Sequence, residues 1–297
     1  MLRCCALIFV GSLSLFGQDL LQLSRTYASK RDFDRAISTA QQYLRTDPAS
    51  IPGRLTLANA YFMAQRLTEA RALAQEILQA EPGQPTALKI KGNAEYLLGD
   101  TSTAIATFID LLDRHPDDEE APYMLGRIYY QESRVDQAMG QFERVLKIDP
   151  HSYKAYDSLG LCYEAKGDND RAVRYFLTAI KLVENDHPEY DSAYADLSEV
   201  LLKTGDAQKA FDAASKATKR NPYSARDFYL GAKALEQLGK FDLCLNWLER
   251  SVALDPNYPE PEYLLARVYR HLGQQEKAEQ ARKKFLDAKA KEPGPRR

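Results

Sequence analysis

Several of the usual anchors of a fold are missing from this chain. Of its 297 residues four are Cys, and two of those are the adjacent Cys4 and Cys5, so no disulfide framework can staple the structure. Beyond residue 17 no apolar run approaches the ~20 residues that cross a bilayer, so the mature chain is expected to carry no membrane span. Lys and Arg number 40 against 42 Asp and Glu, and a net charge of -2 gives no global field to hold nucleic acid. The phosphate-binding glycine loops, the zinc-protease helix motif and the serine nucleophile elbow are all absent. The four His, His115, His151, His187 and His271, are at least 36 residues apart. They read as solvated turn residues, so no metal, cofactor or catalytic group is expected. What the chain has is 44% hydrophobic and 28% charged residues, enough to build an apolar core and too much for disorder.

The start of the chain is set apart from that core. Arg3 precedes an apolar stretch of thirteen residues, Cys4 to Phe16, interrupted by Ser12 and Ser14 and followed by polar Gln18 and Asp19. A basic residue, a short apolar segment and a polar flank are the parts of a secretory signal peptide, placed at residues 1–17. Export to a bacterial periplasm or beyond is the expectation, with a retained membrane anchor as the alternative.

The rest is periodic. Pro48, Pro82, Pro116 and Pro150 follow one another at 34-residue steps, each closing an amphipathic stretch. A fixed period of this size signals a solenoid. With Pro at position 32, eight units begin near residues 17, 51, 85, 119, 153, 191, 225 and 259 and fill residues 18–292. The fifth carries four additional residues around His187 to Tyr190, placed in a longer second helix or turn. A tail at 293–297, with two Pro and one Gly, is expected to be disordered.

The columns of this frame predict a helical hairpin in every unit. Position 8 (Ser24, Ala58, Gly92, Gly126, Gly160, Ser198, Ala232, Ala266) and position 20 (Ala36, Ala70, Ala104, Ala138, Ala172, Ala210, Cys244, Ala278) hold only small side chains. Two helices approach to roughly 8 Å only where small residues meet, so these columns mark their crossing. Near position 15, Gly99, Gly167, Gly205, Gly239 and Gly273 can take the left-handed conformation that ends a first helix. Tyr at position 11 and Phe at position 24 fill the remaining space. Cys162 and Cys244, two units apart, read as small core residues.

Small-x-x-Tyr, then Ala-x-x-x-Phe, then Pro, recurring in phase, resembles the tetratricopeptide repeat family. Glu95, Leu201 and Leu235 depart from the position 11 aromatic, and Ala40, Ala74 and Ala214 from the position 24 Phe. The resemblance implies an all-α fold, a right-handed superhelix of antiparallel helix pairs. It also implies a non-enzymatic scaffold, monomeric in solution, that takes a protein or peptide partner along the concave face of its first helices.

By that resemblance positions 2, 5, 9, 12 and 13 look inward. The candidate site is then Asn59 and Phe62 in the second unit, Lys89, Asn93 and Tyr96 in the third, Tyr123, Arg127 and Tyr130 in the fourth, and Lys154 in the fifth. Asn can donate and accept to a peptide backbone, Arg and Lys meet carboxylates, and Tyr offers flat contact at little entropic cost. The alternative is that these are the solvated polar residues of any amphipathic helix. A clamp on a C-terminal carboxylate, which some family members build from five positions, is incomplete: Lys89, Asn93 and Lys154 fit, but Met124 and Ser158 occupy the other two places. Asp117, Asp118, Glu119 and Glu120 are assigned to the N-terminal end of a helix, where negative charge complements the helix dipole.

Overall fold

A computed structural model describes residues 19–184 and 186–291. The leader at 1–17 and the tail at 293–297 lie outside the described residues. Among those residues the regular elements are sixteen helices and no strand. Each repeat contributes a pair: α1 (19–29) with α2 (Phe33–Thr46), α3 (Ile51–Met63) with α4 (Leu67–Ala80), α5 (Pro85–Leu98) with α6 (Thr101–Arg114), and α7 (Glu120–Gln131) with α8 (Val135–Ile148). The later pairs are α9 (Tyr153–Ala165) with α10 (Asn169–Val183), α11 (Ser192–Thr204) with α12 (Ala207–Arg220), α13 (Ala225–Gln237) with α14 (Phe241–Leu254), and α15 (Pro259–His271) with α16 (Gln275–Lys289). The chain divides after Ile148 into two compact units, α1 to α8 and α9 to α16. Within each, first and second helices pack as a pair and both meet the first helix of the next repeat, as α3 and α4 meet α5, the nearest-neighbour burial that makes a solenoid.

Local chemistry sets where each helix starts and stops. Asp32, Asp168 and Asp206 cap second helices by accepting from the backbone N–H of Arg35, Arg171 and Lys209. Pro52 and Pro85 sit in first turns, where no intrahelical N–H is needed. The four additional residues of the fifth repeat lie in the connection between α10 and α11, and α10 itself runs to 15 residues.

First helices end in the left-handed region, at φ 86° in Gly99 and 85° in Gly205. Three repeats place a side chain there instead: Arg31, Gln65 and Ser133 have φ of 61°, 59° and 59°. A Cβ in that conformation costs about 1–2 kcal/mol, partly offset by the greater freedom of glycine in the unfolded chain. Gln65→Gly and Ser133→Gly should therefore each stabilise by about 0.5–1 kcal/mol, read as a raised melting temperature. A lowered one counts against this account.

The small columns do meet, with one refinement. Ser24 and Ser198 donate their hydroxyls to the carbonyls of Ala36 (2.7 Å) and Ala210 (2.9 Å), joining position 8 to position 20. The glycines of position 8 instead lie under the rings of position 24. A Cβ added to Gly92, Gly126 or Gly160 would come within 2.9, 2.6 and 2.5 Å of Phe108, Phe142 and Phe176. Position 8 is glycine in the repeats that bury a Phe, and Ser or Ala where position 24 is Ala40, Ala74 or Ala214.

Cys162 and Cys244 are buried and unpaired, and burial pushes both thiols up to about 12, which leaves them inert at neutral pH. Among the four His, His151 is an exposed turn residue, as its sequence position suggests. His115 is half-buried with Nε2 2.8 Å from the Gly83 carbonyl oxygen, while His187 and His271 lie against the rings of Tyr153 and Phe241. These three make contacts beyond their own turns, which corrects the reading of all four as plain solvated residues. No three His, Cys, Asp or Glu side chains converge to hold a metal among the described residues.

Candidate functional site

In the first unit α3, α5 and α7 lie side by side. They carry eight of the nine residues singled out from the sequence. The ninth, Lys154, starts α9 in the second unit, exposed and with its ammonium 5.8 Å from the centre of the Tyr153 ring.

Several of the eight are latched to the next repeat. Lys89 Nζ lies 2.6 Å from Asp118 Oδ2 and 3.5 Å from Glu120 Oε2, while Asn93 Nδ2 donates to Glu120 Oε1 at 2.8 Å. Burial works against the Lys89 charge, but the two carboxylates outweigh it and hold its pKa above the ordinary lysine value. Asp118 does double duty, because its Oδ1 also accepts from the backbone N–H of Glu120 and Ala121 at the head of α7. Tyr96 donates its hydroxyl to Gln131 Oε1 at 2.6 Å. The groups that a carboxylate clamp would take from the third repeat are thus already held by carboxylates of the chain itself. A partner carboxylate would have to displace them.

The remaining side chains present a different surface. Arg127 is exposed, with its guanidinium 5.9 Å from the Tyr96 ring centre and Nη1 3.9 Å from Met124 Sδ. No carboxylate of the described residues pairs with it. Tyr123 is half-buried with its ring 5.9 Å from that of Phe142, Tyr130 and Phe62 are half-buried, and Asn59 is exposed with Nδ2 3.7 Å from Met63 Sδ. Asn59, Arg127 and the tyrosine rings form an amphipathic strip with one unneutralised cation.

The second unit repeats the latching with full charges. Glu164 on α9 accepts from Lys203 on α11 at 2.5 Å, Glu199 accepts from Arg226 at 2.7 Å, and Glu236 lies 2.7 Å from Arg267. Position 9 thus meets position 2 of the next repeat in Asn93–Glu120 and Glu199–Arg226, and position 12 meets position 13 in Tyr96–Gln131 and Glu164–Lys203. Sequence reading missed these latches. The signal that could have found them was complementary residue types at those two spacings, one repeat apart.

Buried acids accompany them. Asp157 accepts from the Tyr190 hydroxyl at 2.5 Å, and its other oxygen, Oδ1, is unpartnered. Burial and the charge of Asp196 push its carboxyl up to about 7. Asp227 is likewise pushed up to about 7, by burial and by neighbouring Asp191. Asp196 itself is held by Arg226 at 2.6 Å. Tyr190 belongs to the four additional residues of the fifth repeat, which Arg220 ties down by donating to the carbonyls of His187 and Glu184 and to the Tyr194 hydroxyl. The insertion therefore has a structural task, covering Asp157.

Comparison with known proteins agrees with the geometry. Models of the tetratricopeptide repeat match residues 27–93, 91–153, 152–221, 228–258 and 247–280. No curated protein matches the chain at a significant level. Among solved structures, a tetratricopeptide repeat protein from Parabacteroides merdae is similar over 91% of this chain and 98% of its own, at 18% identity and a TM-score of 0.65. The APC/C hetero-tetramer Cut9-Hcn1 matches 88% of this chain and 50% of the chain compared, at 17% identity and a TM-score of 0.67. MamA covers 59% of this chain and 93% of its own, at 28% identity and a TM-score of 0.50. With in-phase columns, helix pairs throughout the described residues and family models from residue 27 to 280, the chain belongs to the tetratricopeptide repeat family, whose fold supports a protein–protein interaction scaffold.

Proposed function

We propose that this chain is a non-enzymatic scaffold that binds an extended segment of a partner protein across α3, α5 and α7. The observation that carries the reading is Arg127, an exposed guanidinium among Tyr96, Tyr123 and Tyr130 that no carboxylate of the described residues neutralises. A partner segment with a carboxylate and a flat apolar side chain satisfies both features, and the Asn59 side-chain amide supplies a donor and an acceptor for the segment's backbone. Ordering a flexible segment consumes part of the contact energy, so the affinity expected is about micromolar. Lys89 and Asn93 hold the α5–α7 spacing rather than the partner.

The test is affinity purification from the native host, followed by calorimetry with the recovered segment. Arg127→Ala should weaken binding by about 10-fold or more, the worth of one hydrogen bond to a charged group, with helicity unchanged. An unaltered affinity in Arg127→Ala and Tyr130→Ala would remove the strip as the site.

The leader supports a place for this scaffold in an exported assembly of a bacterial envelope, since Arg3 followed by apolar Cys4 to Phe16 fits a cleaved signal. Intact-mass measurement of the mature N-terminus tests it. A chain that retains Met1 to Gly17 would be an anchored or intracellular adaptor instead.

A further inference from the structure

The position 11 column holds a second surface. In five repeats this position is a Tyr whose ring is covered by a cation from the turn or helix that follows. Arg35 lies over Tyr27, Arg66 over Tyr61, Arg134 over Tyr129, Arg171 over Tyr163 and Lys277 over Tyr269, all within 5.7 Å of the ring centre. Glu95, in the third repeat, replaces ring and cation differently, with Lys91 at 2.8 Å and the Thr107 hydroxyl at 2.7 Å forming a self-neutralised polar group. In the sixth repeat the position is Leu201, and the cation that would have covered a ring, Lys209, turns to Asp206 at 2.6 Å.

Here the space stays open. A cleft of about 180 Å³ lies between α10 and α12, floored by Leu197 and Leu201 of α11 and walled by Val173, Leu177 and Ile180 of α10. Leu177 at its rim is 49% exposed and extends the apolar surface of the gap into solvent. Apolar cavities of about 150 Å³ hold a benzene ring, so this one takes a single large apolar side chain.

The charge around it is mostly positive. Lys216 lines the cleft, Lys219 follows one turn later on α12, and Arg174 and Lys181 stand one turn before and after Leu177 on α10. All four are exposed, and none is paired with a carboxylate of the described residues. Of the acids nearby, Asp206 holds Lys209, while Asp212 lines the cleft itself and accepts only from the neutral Gln208 at 3.1 Å, so the four cations outnumber it.

We propose that this cleft is a docking site for an acidic segment of a partner protein, which inserts one Phe or Leu side chain against Leu201 and sets Asp or Glu residues against Arg174, Lys181, Lys216 and Lys219. It lies wholly in the second unit and is independent of the Arg127 strip, so one chain can hold two partner segments.

The probe is a fluorescein-labelled 12-residue peptide of Glu and Asp with one central Phe, titrated against the full chain by anisotropy. Binding is expected at a Kd of about 10–100 μM, at least about 10-fold tighter than for the same peptide with Ser in place of Phe. Leu201→Tyr restores the ring of the other repeats and should abolish the Phe advantage without lowering the melting temperature. Should that variant misfold, Leu177→Ser and Lys216→Glu test the rim instead, each expected to weaken binding several-fold, while Arg127→Ala leaves it unchanged. Equal affinity for the Phe and Ser peptides, or equal competition by anionic vesicles or a single-stranded oligonucleotide, overturns the proposal, because charge alone would then account for binding.

Discussion

Gly160→Ala is expected to destabilise the second unit by about 2–3 kcal/mol, an unusually large effect for one added methyl group. The new Cβ would lie 2.5 Å from Phe176 Cε1 and 2.6 Å from Cδ1. Phe176 is fully buried, so its ring has no room to retreat. Gly126→Ala should do the same to the first unit through Phe142. The partner substitution rescues. Gly160→Ala with Phe176→Leu recreates the pair that the seventh repeat already uses, Ala232 with Leu248, both fully buried. The double variant should therefore be more stable than Gly160→Ala alone, a coupling measured by a double-mutant cycle on thermal unfolding. Purely additive losses would show that the methyl acts on something other than the ring.

A second large effect concerns pH. Asp157 and Asp227 each have a carboxyl pushed up to about 7 in the folded chain, against about 4 when unfolded. Between those values the folded state holds protons that the unfolded state has released. Stability from these groups is therefore present at low pH and falls as pH rises through the window from about 4 to 7. Asp168 and Asp206 act in the opposite sense, since hydrogen bonds from Arg171 and Lys209 lower their pKa and their contribution is lost only on further acidification. The melting temperature should accordingly be highest near pH 5 and lower at pH 8, the reverse of ordinary behaviour just below neutrality.

Asp157→Asn and Asp227→Asn test the cause directly. Each keeps the shape of the side chain and removes the charge. Both variants should melt higher than the parent at pH 8 and close to it at pH 5, by up to a few kcal/mol at one unit of pKa per 1.36 kcal/mol. A pH-independent parent, or an Asp157→Asn that melts lower at pH 8, would show that the Tyr190 hydrogen bond and the Arg226 charge outweigh burial and hold Asp157 ionised in the folded chain. Because repeats interact only with neighbours, the change should concentrate in the second unit, and hydrogen exchange can locate it there.

Much of the fold is legible in the order of residues alone. Columns of Ala at position 20 and Gly at position 15 specify a tight hairpin because each answers a local requirement, a close helix crossing or a positive φ. Such requirements repeat with the chain, so they leave a period that one sequence displays. The candidate site is legible only in part. Asn59, Arg127 and the tyrosines emerge on one strip, but Lys89, Asn93 and Tyr96 give their polar groups to Asp118, Glu120 and Gln131 of the next repeat, and Lys154 belongs to the other unit.

Spacing along the chain is enough to set the repeat, its helix ends and the class of fold. Packing in three dimensions settles which glycine lies under which ring, which acids face one another, and which cation has no carboxylate beside it. Those are facts of distance between side chains roughly 15 to 35 residues apart. A periodic chain offers each such side chain several equivalent neighbours, and packing alone selects the one it meets.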